Sequence, residues 1–469
     1  MGNSVARLFV LCIFAFTIAG QPPLVPPPPP ENIPSGSLII PMDNFHQGND
    51  TQTTFNLRAY GLANLLLQNG VPVKWAIRPN KSKDDTDFTA SFTRIAGTAG
   101  SAAGANASFS GGPFIVTQNL DNPAVRNLIT TFNSGPEPDV TVYITTANAL
   151  INIRYTLTHR PKIAIGPDGG GLGGEVHERV FTSAGIPNFE SVSDDIINAS
   201  ACFTLATQAH SNTPEFVSVY KLFVQSGGNL LLQCQSIATY ENNPAGLFQT
   251  TAGYTVFGTN DPFSAVDTTL LYPEGAMPFN QFIGILGNQD GAVTEYAYAP
   301  GSGPANGNRI SVVNSPPHGE KFVATASELP GTSQEGRNVF ELGGHDYERN
   351  GADLIQNING RRMTLNTAFV PPTRPSSCGL TAGDASIDGQ VRDANGRGIS
   401  RAFITITNAA TSESRTVITN QFGYYSIGGL QAGDVYQLNV RHKRYRFANP
   451  SVTLSLTDNV TGLAFVAAP

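Results

Sequence analysis

Charge is scarce in this chain. Lys, Arg, Asp and Glu together make up 13% of its 469 residues, about half the ~25% usual for soluble domains. The formal net charge is -7, and no run of Lys or Arg occurs. Phosphate-backbone binding needs a basic face, so nucleic acid is not an expected partner. Cysteine is scarce too, and four residues are too few for a disulfide scaffold. Metal-ligand spacing is missing: His46, His159, His210 and His318 stand alone, and His177-Glu178 has no second cluster. No metal or other cofactor is expected on that ground. After the first twenty residues no apolar run approaches the ~20 residues needed to span a bilayer.

What is present is Gly (48), Pro (33) and a 40% apolar fraction, ample for folded cores in two or three domains. A surface solvated by amides and hydroxyls suits a protein outside the cytoplasm. The start agrees: Arg7 precedes an apolar stretch from Leu8 to Ile18, with Ala19 and Gly20 after it. That is the pattern of a secretory signal peptide over residues 1–20, so a secreted or extracytoplasmic protein without a transmembrane segment is expected. Residues 21–36 are proline-rich and read as an extended spacer, because proline lacks an amide donor and fixes φ. A second break, residues 371–383, separates two textures of sequence.

Between the breaks, residues 37–370 alternate strand and helix. SLIIPM, VPVKWAI, PKIAIG, NLLLQ and RNVFELGG have strand length and continuous apolar character. NLRAYGLANLLLQNG, EVHERVFTSAG and NTPEFVSVYKLFVQSGG have helical spacing and end on glycine. Continuous apolar strands alternating with helices predict a doubly wound α/β domain with a mostly parallel sheet covered on both faces. Residues 243–308 read as loops and inserted antiparallel strands. After the second break, residues 384–469 alternate apolar and polar at short spacing, with a hairpin signal at Asn395-Gly396. That texture predicts an all-β sandwich.

In an open parallel sheet, ligands bind beyond the carboxyl ends of the strands. Those ends nominate Asp43 and Asn44, Arg78, Asp168, Cys234 and His345. Cys234 has three readings: a nucleophile paired with His345, a buried core thiol, or a disulfide partner of Cys202 that leaves Cys378 free. As a nucleophile it would use His345 as base, with Asp346 or Glu348 orienting the ring and backbone amides of the following helix facing an oxyanion. Gly169, Gly171 and Gly174 make a GxGxxG between strand and helix, but an anion at the helix start is the expectation there rather than a dinucleotide.

Two resemblances attach to particular residues. GGNLLLQCQSI (227–237) and NVFELGGHDY (338–347) resemble segments of the class I glutamine amidotransferase-like superfamily, in particular its ThuA-like branch. The resemblance implies a flavodoxin-like sheet and, in the amidotransferases, a cysteine in a sharp strand-to-helix turn flanked by glycines. Leu232 and Gln235-Ser236 stand where those glycines would be, and Tyr347 stands where the family has Glu. GQVRDANGRGISRAFITIT and TNQFGYYSIGGLQAGDVYQLNV, with Gly423-Tyr424-Tyr425, Leu430, Gly433 and Tyr436, resemble the carboxypeptidase regulatory-like (prealbumin-like) domain. That resemblance implies an accessory module, in which Tyr424, Tyr445 and Phe447 either stack on sugar or complete a sheet surface. The expected function is a secreted binding or structural protein with a glycan or cell-surface partner. The alternative is a secreted Cys-His hydrolase or amidase acting through Cys234 and His345.

Overall fold

The structure, a computed structural model, describes residues 29–135, 138–167, 174–210, 213–258, 270–287, 290–314, 320–330, 337–348, 351–373, 378, 384–409, 414–431, 435–456 and 460–468. The expected signal peptide and Asp168 lie outside them. None of the described helices is long and apolar enough to cross a membrane.

Residues 37–370 carry two large sheets rather than one. The first is antiparallel throughout and is built from seven strands between Leu38 and Leu157, with Leu38–Ile40 and Phe114–Val116 near its middle. This corrects the expectation of a single mostly parallel sheet. The physical reason is visible in Thr86–Ala96 and Ala103–Ser110, which pair as a long hairpin and extend this sheet. Their exposed and buried residues mix along the strand, a pattern of sheets with one solvated face.

The second sheet has five parallel strands in the order Phe189–Ser191, Ile163–Ile165, Leu205–Gln208, Asn229–Gln233, Asn338–Leu342. Antiparallel strands Lys321–Glu328, Glu295–Tyr298 and Tyr254–Phe257 continue it on the Asn338–Leu342 side. Alternate residues of the parallel strands face two cores. Ile163, Ile165, Leu205, Leu231, Phe340 and Leu342 join Trp75, Phe114 and the helix Arg58–Gln68 of the first sheet's layer. Ala164, Ala206, Leu230, Leu232 and Val339 pack on the helix Val217–Gln225 and on Ile237 and Tyr240.

The helix Ile355–Thr367 is buried along nearly its whole length although it lacks an apolar stripe. Its polar side chains take the place of water for neighbouring backbone. The Arg362 guanidinium donates to the carbonyls of Met42 and Gln281 and lies 3.9 Å over the Phe55 ring. Asn359 Nδ2 donates to the carbonyls of Ile283 and Ile285, and Asn366 Nδ2 to those of Phe279 and Gln281. Buried amides persist only when paired in this way.

Both breaks are better anchored than a free spacer. Glu31–Ile33, three residues between Pro30 and Pro34, pair antiparallel with Ala149–Ile151. The expected extended spacer is therefore part of a sheet at its end, where consecutive non-proline amides are available. In the second break, Thr373 N donates to Gly227 O at 2.8 Å, and Cys378 is disulfide-bonded to Cys202. That bridge removes the disulfide alternative for Cys234, which is buried and outside any disulfide.

The C-terminal module packs a three-stranded sheet (Tyr424–Gln431, Asp384–Arg392, Val460–Val466) on a four-stranded one (Ser414–Ile418, Phe403–Asn408, Val435–Arg441, Ser451–Ser455). Ile387, Ile404, Ile427, Tyr425, Leu438 and Phe465 fill the space between. It is a β-sandwich. The chain ends differ from a purely antiparallel plan, since Asp384–Arg392 and Val460–Val466 run parallel.

Candidate active site

Parallel strands deliver their carboxyl ends to one edge, and three neighbours deliver side chains of one kind of chemistry. Leu205–Gln208 exits through Ala209 into His210, Asn229–Gln233 directly into Cys234, and Asn338–Leu342 through two glycines into His345. The Cys234 sulfur and one ring nitrogen from each histidine lie within 4.8 Å of one another. The two imidazoles are nearly perpendicular, with centroids 5.1 Å apart. Cys234 is fully buried and both histidines are half-buried.

Cys234 occupies a sharp turn with φ 50° and ψ -127°, a backbone state that costs an L-residue roughly 1–3 kcal/mol and persists only where surroundings impose it. Here its amide donates to Leu342 O at 3.2 Å, and its carbonyl accepts from Ile237 N at 3.1 Å in the helix Gln235–Glu241. The turn forms without elbow glycines because adjoining segments supply the small residues. A Cβ on Gly291 would stand 2.9 Å from the Cys234 sulfur and 3.1 Å from His345 Cβ. One on Gly343 would collide with Thr294 O.

Backbone and amide contacts hold the site in place. His345 N donates to Asp290 O at 2.7 Å and Gly344 N to Val293 O at 2.9 Å. Gln233 Nε2 donates to His345 O at 2.9 Å, while its Oε1 accepts from His177 Nε2 at 2.9 Å. His177, at first sight a lone histidine on a helix, therefore braces the strand that carries Cys234.

The other nominated residues serve elsewhere. Arg179 engages Asp346 at 2.6 Å and Glu348 at 3.1 Å, and Arg361 reaches Glu348 at 3.3 Å. Their carboxylates are tied to guanidinium groups, in place of the expected role of steering His345. Asp43 accepts from both the backbone and the ring of His46 at 2.9 Å, and that ring is enclosed by Phe92, Phe109 and Tyr143. Asn44 Oδ1 accepts from Arg362 at 3.3 Å. The Arg78 amide donates to Asp87 and its guanidinium to Thr86 O and Asp85. Asp87 in turn forms a fully buried ion pair with Lys81 at 2.8 Å.

Two glutamates close to the site in sequence escaped notice there. Glu241 ends the helix after Cys234, and Glu341 lies four residues before His345; both are fully buried. Glu241 accepts the amides of Phe248, Gln249 and Thr250 and the Thr250 hydroxyl. Burial, and then the Glu241 charge, push the Glu341 carboxyl well above the ordinary range. Burial also raises Glu241, against those hydrogen bonds.

His210 is the functional candidate that sequence reasoning missed. LATQAH is an apolar strand followed by a polar exit, the same signal that nominated Cys234.

Residues 386–467 match the carboxypeptidase regulatory-like domain family. That match names the C-terminal module, a minor part of the chain. No curated protein matches. Among solved structures, the Bacillus anthracis TIE protein aligns at 12% identity over 18% of this chain and 17% of its own, with a TM-score of 0.15. The major pilin subunit BcpA of Bacillus cereus aligns at 13% over 19% and 30%, TM-score 0.16. Catechol 1,2-dioxygenase from Acinetobacter aligns at 14% over 15% and 36%, TM-score 0.13. The chain spans well under two thirds of each of these proteins, and likenesses of this size carry no argument.

Proposed function

We propose that this chain is a secreted acyl-transfer enzyme of amidotransferase-like, doubly wound design, in which Cys234 is the nucleophile. The observation that carries the reading is a cysteine in a strained strand-to-helix turn, with two imidazoles within 4.8 Å. Strain of this kind concentrates at functional sites, and a nucleophile needs a base within reach. An imidazole of His345 or His210 takes the thiol proton as sulfur bonds to the carbonyl carbon of an amide or ester. The same proton then leaves with the amine or alcohol as the C–N or C–O bond breaks. Water hydrolyses the thioester, restoring the thiol and releasing the acid. The Cys202–Cys378 bridge supports residence in an oxidising compartment.

A second reading, a non-catalytic binding protein, draws on the full burial of Cys234 under Gly291. It also draws on the module's surface, where Tyr424 and Tyr445 are exposed. There a cleft of about 410 Å³ is lined by Asp388, Gln390, Arg392, Asn420 and Tyr424, chemistry suited to a glycan or cell-surface partner.

The deciding experiment is turnover of an amide and ester panel by the full chain after chelator treatment, with mass-spectrometric mapping of iodoacetamide labelling. The enzyme reading expects Cys234 labelling and activity that vanishes in Cys234→Ala. Activity unchanged in Cys234→Ala, or a folded thiol inert to alkylation and no turnover, rejects it in favour of binding.

A further inference from the structure

We infer that His210, Cys234 and His345 form a binding site for zinc or a similar borderline-soft divalent ion, and that the ion masks the thiol. The chain order of these residues conceals the site: the first two lie 24 positions apart and the last two 111. The strand order Leu205–Gln208, Asn229–Gln233, Asn338–Leu342 assembles it. All three donor atoms already lie within 4.8 Å of one another. In a tetrahedral zinc site, Zn–N near ~2.0 Å and Zn–S near ~2.3 Å put ligand atoms about 3.3–3.6 Å apart. Contraction of up to about 1.2–1.5 Å from the 4.8 Å span, through side-chain rotations at the half-buried histidines, closes the site.

The donor set selects the ion. Sulfur with two imidazoles favours zinc and its late transition-metal neighbours over calcium or magnesium, which take oxygen. The nearest carboxylates in sequence, Asp346 and Glu348, are committed to Arg179, so hard-cation chemistry is not offered. Three protein ligands leave a fourth coordination position, the arrangement of an open rather than a structural zinc site. Outer contacts are also in place. Asp290 O and the Gln233 amide fix the His345 backbone from two sides. Both histidines keep part of their surface exposed, whereas Cys234 is fully buried.

As a metal site the inference stands on the three donors alone; as control of a reactive thiol it rests on the acyl-transfer reading. The full chain is stripped with a chelator and titrated with Zn²⁺ and, separately, Co²⁺. One equivalent of zinc per chain is expected, with a Co²⁺–thiolate charge-transfer band, and with Cys234 alkylation suppressed by zinc and restored by chelator. His210→Ala, Cys234→Ser and His345→Ala should each weaken zinc binding by roughly 100-fold or more, beyond the ~10–100-fold typical of losing an outer partner. Circular dichroism identifies any variant that fails to fold, and His210→Gln and His345→Gln then replace the alanine variants. Substoichiometric zinc, a missing Co²⁺–thiolate band, or unchanged affinity in folded His210 and Cys234 variants overturns the site. Rapid alkylation of the metal-free thiol without zinc binding sinks this inference and leaves the acyl-transfer reading intact. Zinc binding with the thiolate band but no amide or ester turnover upholds the site and sinks that reading.

Discussion

The two large sheets share a core yet treat their strand ends differently. Among the five parallel strands every carboxyl end points to the same edge, so His210, Cys234 and His345 meet although they are far apart in the chain. In the antiparallel sheet, neighbouring ends point to opposite edges. There Asp43, Asn44 and Arg78 are taken up by His46, Arg362 and Asp87. Polar residues after apolar strands are therefore a guide to a site only where the strands run the same way. Where they alternate, the same signal marks residues that close turns and satisfy backbone.

The sharpest test of this contrast is functional. Cys234→Ala should abolish thiol labelling and any acyl-transfer activity. His345→Ala should lower turnover by at least ~100-fold, the lower end for loss of a general base. Asn44→Ala and Arg78→Ala should leave the rate of the folded protein within about 2-fold, as expected of residues outside the reacting centre. Equal losses on both sheets would erase the distinction.

Stability should reverse the ranking. Asp87→Ala strands the fully buried Lys81 charge and removes the acceptor for the Arg78 and Gly112 amides. A loss of about 3–5 kcal/mol in chemical denaturation is expected for a broken buried pair. A loss under about 1 kcal/mol would mean that Lys81 reaches water. The Cys202–Cys378 bridge spans 176 residues; replacing both cysteines with alanine should cost roughly 2–5 kcal/mol.

The Glu241–Glu341 pair predicts a pH signature on the parallel sheet. The Glu341 carboxyl is raised in the folded protein. Its stabilising contribution is therefore complete below the ordinary glutamate value near 4.5 and is lost as pH rises above it. Glu341→Gln should raise the melting temperature at pH 7–8, with the gain shrinking as pH falls toward 4.5. A gain independent of pH would rule out a protonated Glu341. The smallest effect belongs to the module: Tyr424→Ala should shift stability by no more than about 0.5 kcal/mol, as for an exposed residue. The same variant should weaken any glycan retention on an affinity column, and unchanged retention would exclude Tyr424 from the contact.

Legibility followed local physics. NLLLQ, PKIAIG and NVFEL carry their strand character in continuous apolar runs, and the strands Asn229–Gln233, Ile163–Ile165 and Asn338–Leu342 lie there. The sandwich at the C-terminus was legible in its period-two alternation. The helix Ile355–Thr367 was hard to place as a core element, because its burial rests on amides and guanidinium groups answering distant carbonyls. The Cys234 turn was obscured because the glycine that leaves room for its sulfur, Gly291, comes from another segment.

Apolar runs, helix stops and the short export-like start are properties of neighbouring residues, so the chain alone determined the kinds of element and the change of texture near residue 371. Which sheet each strand joins, the Cys202–Cys378 pairing, and the meeting of His210 with Cys234 and His345 were decided only by tertiary structure. These depend on strand direction and on contacts between residues far apart, and local periodicity carries no information about either.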